Sequence, residues 1–311
     1  MKFPILNNKF LQLFILFSPF LACSQDKSIN KTNTSTARQL TFPSTKYVMV
    51  AAHRAGGFND ALVPENSLSA IRHSLDLGVD IIEIDVRLTL DRKLIVMHDK
   101  TLERTSNGLG KISHHTLSEI KQLFLKDKNG AITNERIPSL EEALIAIGNK
   151  AIVFIDKSEL VLEYVVPILT KTNTTNQALF MDFINFDEAK KRYGTLLSQS
   201  YFVPGIHDSN SNLDQYVTEF KEGLNPKPTA FSFWFKNENS KSFSLLESAT
   251  KSNIPVWINT TSIDQCGCHS DEVSLTNPDT GWGWALQKGA NILFTDEPEA
   301  LIKYLKEKGL R

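Results

Sequence analysis

The segment Gly78-Val-Asp-Ile-Ile-Glu83-Ile-Asp85-Val-Arg-Leu-Thr-Leu-Asp91-Arg92-Lys93-Leu-Ile-Val-Met-His98-Asp99 decides how the chain folds. Its first part, Asp80–Val86, is an apolar run of strand length, continuous as in strands buried on both faces. Glu83 and Asp85 stand at i and i+2, so on a strand they share one face. A second apolar run, Leu94–His98, follows after only Arg87–Lys93. A parallel crossover needs a dozen residues or more. The second run must therefore turn back antiparallel near Asp91-Arg92-Lys93, which brings position 98 opposite about position 85.

Outward from this hairpin, apolar runs alternate with helical patterns. The candidate strands are Tyr47–Ala52, Asp80–Val86, Ala151–Asp156, Ala178–Asp182, Gln199–Val203, Ala230–Phe235, Pro255–Asn259 and Ile292–Thr295, with Leu94–His98 as the extra one. Leu68, Ile71 and Leu75 keep helical spacing up to Gly78. Ser139-Leu-Glu-Glu142 and Thr116-Leu-Ser-Glu119 read as capping boxes, and Pro298 opens a terminal helix. Eight parallel strands alternating with helices predict a TIM-type (β/α)8 barrel with a hairpin extension after strand 2. The rival, a doubly wound open sheet, lacks a glycine-rich phosphate loop after its first strand.

The barrel does not occupy the whole chain of 311 residues. Lys2 and Lys9 precede an apolar run, Phe10–Ala22, too short for the roughly 20 residues of a spanning helix. This predicts a signal peptide over residues 1–23. Ala22-Cys23 at its end resembles a bacterial lipoprotein signal, with Cys23 lipidated and the protein exported to the periplasmic or surface side of an envelope. Residues 24–46, rich in Ser, Thr, Asn and Lys, read as a flexible tether. Residues 47–311 remain for the barrel. With 34 basic and 35 acidic residues the net charge is −1, which argues against a nucleic-acid partner. Three cysteines exclude a disulfide scaffold.

Barrel active sites form where strands end, and His53-Arg54, Glu83/Asp85, His98-Asp99 and Asp156-Lys157 all fall there. Carboxylates facing one way from an apolar strand repel and lose hydration. A hard divalent cation, Ca²⁺ or Mg²⁺, bound by Glu83, Asp85 and Asp156 removes that cost. The structural alternative is an ion pair of Glu83 or Asp85 with Arg54 or Arg87. Two histidines, His53 and His98, suit paired proton transfer near neutral pH. Arg54 and Lys157 suit a phosphate. Cys266-Gly-Cys268-His269 lacks the usual zinc spacing and reads as loop thiols or a disulfide.

Together His53-Arg54-Ala55-Gly56, Pro64-Glu65-Asn66-Ser67, Gly78–Val86, Met97-His98-Asp99, Leu102-Glu-Arg104-Thr105-Ser-Asn-Gly108 and Thr295-Asp296-Glu-Pro298 resemble the glycerophosphodiester phosphodiesterase family, of the phospholipase-C-like barrels. The resemblance implies metal-dependent hydrolysis of a small glycerophosphodiester to glycerol 3-phosphate and an alcohol. It implies His53 and His98 as catalytic, Arg54 on the phosphate, and Glu83 and Asp85 as metal ligands. Asp156-Lys157 departs from the family's usual Glu-x-Lys and resembles a secreted bacterial subgroup, as does Val256-Trp257-Ile-Asn259. Ala55 stands where the family usually has glycine. Trp234, Phe235 and Trp257 lie near strand ends, and Trp257 is carried as a substrate contact. The alternatives are a sphingo- or lysophospholipid lyase on the same barrel and a barrel that binds phosphorylated ligands without catalysis.

Overall fold

The computed structural model describes residues 47–57, 63–210, 213–223, 228–250 and 255–311. The expected signal peptide, residues 1–23, and tether, residues 24–46, lie outside the described residues. In chain order the strands are β1 (Met49–Ala52), β2 (Ile81–Leu88), β3 (Leu94–Val96), β4 (Phe124–Lys126), β5 (Ile132–Arg136), β6 (Ile152–Asp156), β7 (Ala178–Asp182), β8 (Tyr201–His207), β9 (Phe231–Trp234), β10 (Val256–Asn259) and β11 (Ala290–Thr295). Eight of them run in parallel in the order β1-β11-β10-β9-β8-β7-β6-β2. The pairs Ala51↔Ile81 and Ala52↔Ile82 close the ring between β1 and β2. This is the (β/α)8 barrel that the strand count predicted.

Strand alternation divides the core in two. Met49, Ala51, Ile81, Ile152, Phe154, Leu179, Val203, Trp257, Ile292 and Phe294 pack together inside the barrel. Val50, Ala52, Ile82, Ile84, Val153 and Leu293 face the surrounding helices. The inward set of β2 begins with Ile81 and that of β6 with Ile152 and Phe154. Two-residue periodicity then carries Glu83, Asp85 and Asp156 onto the interior face. The register Glu83↔Phe154 and Asp85↔Asp156 sets the acids at neighbouring positions on adjacent strands.

The helices begin and end largely where side-chain chemistry directs. Ser67 caps Leu68–Leu77, and Gly78 ends it in the left-handed region at φ 83°. Ser139 and Glu142 complete a capping box on Leu140–Ile147. The Thr116/Glu119 box also forms, but it starts only the single turn Leu117–Ile120.

The antiparallel hairpin after β2 is present, with a one-residue correction. Val86↔Val96 and Leu88↔Leu94 centre its turn on Asp91. Met97 N–H therefore donates to Asp85 O at 2.9 Å. Met97, not His98, lies opposite Asp85, and His98 stands one residue past that partner. The strand expected from Gln199 starts at Tyr201, because Gln199 ends a short helix, Leu196–Gln199, and Ser200 follows as its cap. The β4–β5 hairpin had no sequence signal: β5 reads Ile-Thr-Asn-Glu-Arg and alternates only between exposed and half-buried.

Candidate active site

Two turns with positive φ carry the cationic residues into the barrel mouth. Arg54 (φ 48°) and Ala55 (φ 60°) follow β1, and Lys157 (φ 59°) follows β6. Such conformations cost of order 1 kcal/mol or more outside glycine. Ala55 takes left-handed backbone at the position where the resembled family has glycine. The bend directs the Arg54 backbone N–H to Glu83 Oε2 at 2.6 Å.

Ligand atoms of Glu83, Asp85 and Asp156 lie within 4.8 Å of one another. Glu83 and Asp85 are buried, at 1% and 0% exposure. Lys157 Nζ bonds Asp85 Oδ1 and Asp156 Oδ2, the latter at 2.7 Å. Asn66 Nδ2 donates to Asp85 Oδ2 at 2.7 Å. Glu83 Oε1, by contrast, is buried and has no hydrogen-bond partner among the described residues. Burial first, then Asp85 and Asp156, push the Glu83 carboxyl well above the ordinary carboxylate range. Burial also opposes ionisation of Asp85, but Lys157 and then His98 outweigh it and hold that carboxyl low.

Three carboxylates and one ammonium, which bonds two of them, leave a formal charge of −2, and one buried oxygen is orphaned. An all-oxygen donor set with that deficit fits a divalent hard cation. The ion-pair alternative is not what forms: Arg87 Nε turns instead to the His98 carbonyl at 3.0 Å. Arg54 Nη1 is shared by both Glu65 oxygens at 3.1 and 3.2 Å.

Each histidine is held by a carboxylate at Nδ1. His53 Nδ1 lies 2.7 Å from Asp296 Oδ1, and His98 Nδ1 lies 2.7 Å from Asp99 Oδ1. A carboxylate at Nδ1 keeps the proton there and leaves the Nε2 lone pair for chemistry. Burial lowers the His98 pKa, against the opposing pull of Asp85 and Asp99. Asp99 is itself clamped by Arg104, whose Nε and Nη2 reach it at 2.7 and 2.9 Å. That clamp and the His98 bond hold its carboxyl well below the ordinary range. On the other side, buried Asp271 accepts from the Asp296 N–H at 2.8 Å and from Trp282 Nε1 at 2.8 Å.

A cavity of about 540 Å³ opens over these groups and is lined by His53, Arg54, His98, Asp156 and Lys157 among others. Seven of the eight sequence candidates thus converge on one place, Glu83 and Asp85 beneath it. Trp257 is the correction. It is fully buried, its indole N–H donates to Asn259 at 2.7 Å, and it packs against Phe154 and Phe294. Those two rings line the cavity, so Trp257 supports its floor from below. As Trp257 is the second residue of β10, strand alternation sends it to the barrel interior, and Trp234 lines the wall instead. The braces Asp99 and Asp296, and the Glu65 and Arg104 behind them, lay inside recognised motifs without an assigned role. Cys266 and Cys268 are free thiols. Cys266 is buried, and burial pushes its pKa up to about 12.

Residues 53–195 match the family model of the glycerophosphoryl diester phosphodiesterase family. Over those residues, somewhat under half of the chain, it is similar to the glycerophosphodiester phosphodiesterase family. Residues 202–305 match a second model, described as a domain of unknown function. A glycerophosphodiester phosphodiesterase of Caldanaerobacter subterraneus subsp. tengcongensis is 46% identical over 103 residues, which are 33% of this chain and 41% of that protein. The matched region thus spans well under two thirds of that relative's length. A glycerophosphoryl diester phosphodiesterase structure from Parabacteroides distasonis superposes with a TM-score of 0.71 at 24% identity, over 88% of this chain and 91% of that one. An Oleispira antarctica phosphodiesterase, solved with the product sn-glycerol-3-phosphate, gives 0.61 at 21% identity, over 87% of this chain and 99% of that one. At these identities both are likenesses of fold.

Proposed function

We propose that this protein is a glycerophosphodiester phosphodiesterase, which hydrolyses its substrate to sn-glycerol 3-phosphate and an alcohol using a divalent cation and two histidines. The observation that carries the reading is the pairing of two carboxylate-braced imidazoles at one cavity with a three-acid cluster, Asp156 at its lining and Glu83 and Asp85 buried beneath it. Glu83, Asp85 and Asp156 would hold Ca²⁺ or Mg²⁺. When bound, such an ion neutralises charge on the non-bridging phosphate oxygens.

The side chains do the rest. Arg54 and Lys157 orient the phosphate. One imidazole takes the proton from the attacking oxygen, a water or the substrate's own glycerol 2-hydroxyl; in the second case a water then opens the cyclic phosphate to sn-glycerol 3-phosphate, the imidazoles exchanging roles. The bond from phosphorus to the alcohol oxygen breaks, and the other imidazole returns a proton to that oxygen. Asp99 and Asp296 hold the Nδ1 proton of each ring, so Nε2 is free to accept in the base, while the acid carries a second proton at Nε2 and the carboxylate stabilises that imidazolium.

The deciding experiment assays choline, ethanolamine, glycerol and inositol glycerophosphodiesters after chelation, then with Ca²⁺ or Mg²⁺ restored. The expected result is equimolar sn-glycerol 3-phosphate and alcohol, dependent on added metal. Binding without turnover in either metal overturns the hydrolase reading. A cyclic phosphate as the final product replaces it with a lyase. The composition of residues 1–46 supports export and anchoring through Cys23. Labelled palmitate should enter the wild type and not Cys23→Ser; equal labelling overturns the anchor.

A further inference from the structure

The cavity has a second wall that the hydrolytic groups do not use. Phe183 follows the end of β7, and Trp234 ends β9. In the ring order β9 stands opposite β2, so this wall lies across the mouth from Glu83 and Asp85. The two rings meet edge to face, with centroids 4.8 Å apart and planes at 72°. Both are half-buried and line the cavity.

Backbone features build this wall. On β8, between the two aromatic strands, Gly205 lies against the Phe183 ring: a Cβ there would come within 2.4–2.6 Å of three ring carbons. Only a residue without a side chain admits the ring. Phe183 N–H donates to Asp182 Oδ1 at 2.8 Å, and Asn210 Nδ2 donates to the Phe183 carbonyl at 3.0 Å. Trp234 Nε1 donates to Ser232 Oγ at 3.1 Å. The indole thus offers a ligand its carbon surface, its one donor already used.

The charges around the pair have one sign in excess. Asp182 and Glu159 both line the cavity. Asp182 Oδ2 takes Arg192 and the Tyr193 hydroxyl at 2.9 Å, and Oδ1 takes the Phe183 N–H, so three of its roughly four acceptor sites are used. Two carboxylates against one guanidinium leave a net negative charge beside the aromatic faces. Lys157 also lines the cavity, but its ammonium is held by Asp85 and Asp156. Hydroxyl-rich groups would find better partners on the polar side, at Asn259, Thr261, Ser262 and Gln265.

Aromatic faces and excess negative charge, with little acceptor capacity left on Asp182, match a large cation recognised by its charge and carbon surface rather than by N–H donors. We infer that the Phe183–Trp234 wall is the alcohol subsite and selects a quaternary ammonium alcohol, so that the preferred diester is of the glycerophosphocholine type. This rests on the hydrolase reading and adds the head group to it.

The test compares kcat/KM for glycerophosphocholine with that for the neutral glycerophosphoglycerol and the primary-amine glycerophosphoethanolamine, at one metal concentration. The wild type should favour choline over both. Phe183→Leu, which keeps the apolar bulk and removes the ring face, should lower the choline-to-glycerol ratio by about 5- to 30-fold, the span of a cation–π contact. Trp234→Leu should act in the same direction. Glu159→Gln, at a half-buried position on the rim, should lower the ratio by about 2- to 5-fold. If the wild type turns over all the diesters without preferring choline, the inference falls and the hydrolase reading stands. An unchanged ratio in both Phe183→Leu and Glu159→Gln also overturns it. If no diester is turned over, the hydrolase reading falls and takes this one with it.

Discussion

The two halves of the barrel contribute different chemistry to one cavity. Residues 53–195 supply nearly all of its charged lining: His53, Arg54, His98, Asp156, Lys157, Glu159 and Asp182. Residues 202–305 supply Trp234, Asn259, Thr261, Ser262, Gln265 and Phe294, with Asp296 as their one charged group at the lining. Neither half closes by itself. β7 pairs with β8 through Leu179↔Tyr201 to Asp182↔Pro204, and β1 pairs with β11 through Met49↔Ile292 to Ala52↔Thr295. A boundary between two family models therefore runs through a single hydrogen-bonded ring. The first half carries the groups proposed to react. The second braces one of them and shapes the space around the ligand.

The strongest way to break this division is His53→Ala or His98→Ala. Each should lower kcat by about 10²–10⁴, while Ca²⁺ or Mg²⁺ binding by calorimetry persists. Turnover at the wild-type level in either variant removes that residue from the mechanism. Next, Trp257→Ala tests whether the second half contributes support or contact. A buried Trp to Ala change costs about 3–5 kcal/mol, so urea unfolding should register a large loss of stability. Normal stability with a raised KM would return Trp257 to the substrate wall. Smaller still, Asp99→Asn and Asp296→Asn should each lower kcat by roughly 10–100-fold with KM nearly constant. A loss confined to Asp99→Asn would remove the second half's bracing role at His53.

Why some of this was legible follows from the distances along the chain. Glu83 and Asp85 stood out because two charges on one face of an apolar strand demand an explanation, and Asp156 repeats the pattern on the neighbouring strand. His98 was tied to them by a connection too short to cross the sheet. The one-residue error in that register arose because turn geometry, not the number of intervening residues, sets strand pairing. Trp257 was misplaced because an aromatic residue near a strand end reads alike whether it points inward or toward the rim. β4 and β5 carry too little apolar periodicity to be seen at all.

From local periodicity, charge placement and connection length, the amino-acid order alone determined the barrel class, the acid cluster and both histidines. Closure of the ring decided the rest. It brought Asp296 to His53 across 243 positions, set Glu65 between Arg54 and Arg104, and seated Phe183 over the bare backbone of Gly205 beside Trp234. No periodicity encodes such contacts, because they join strand ends that meet only when eight strands complete the circle.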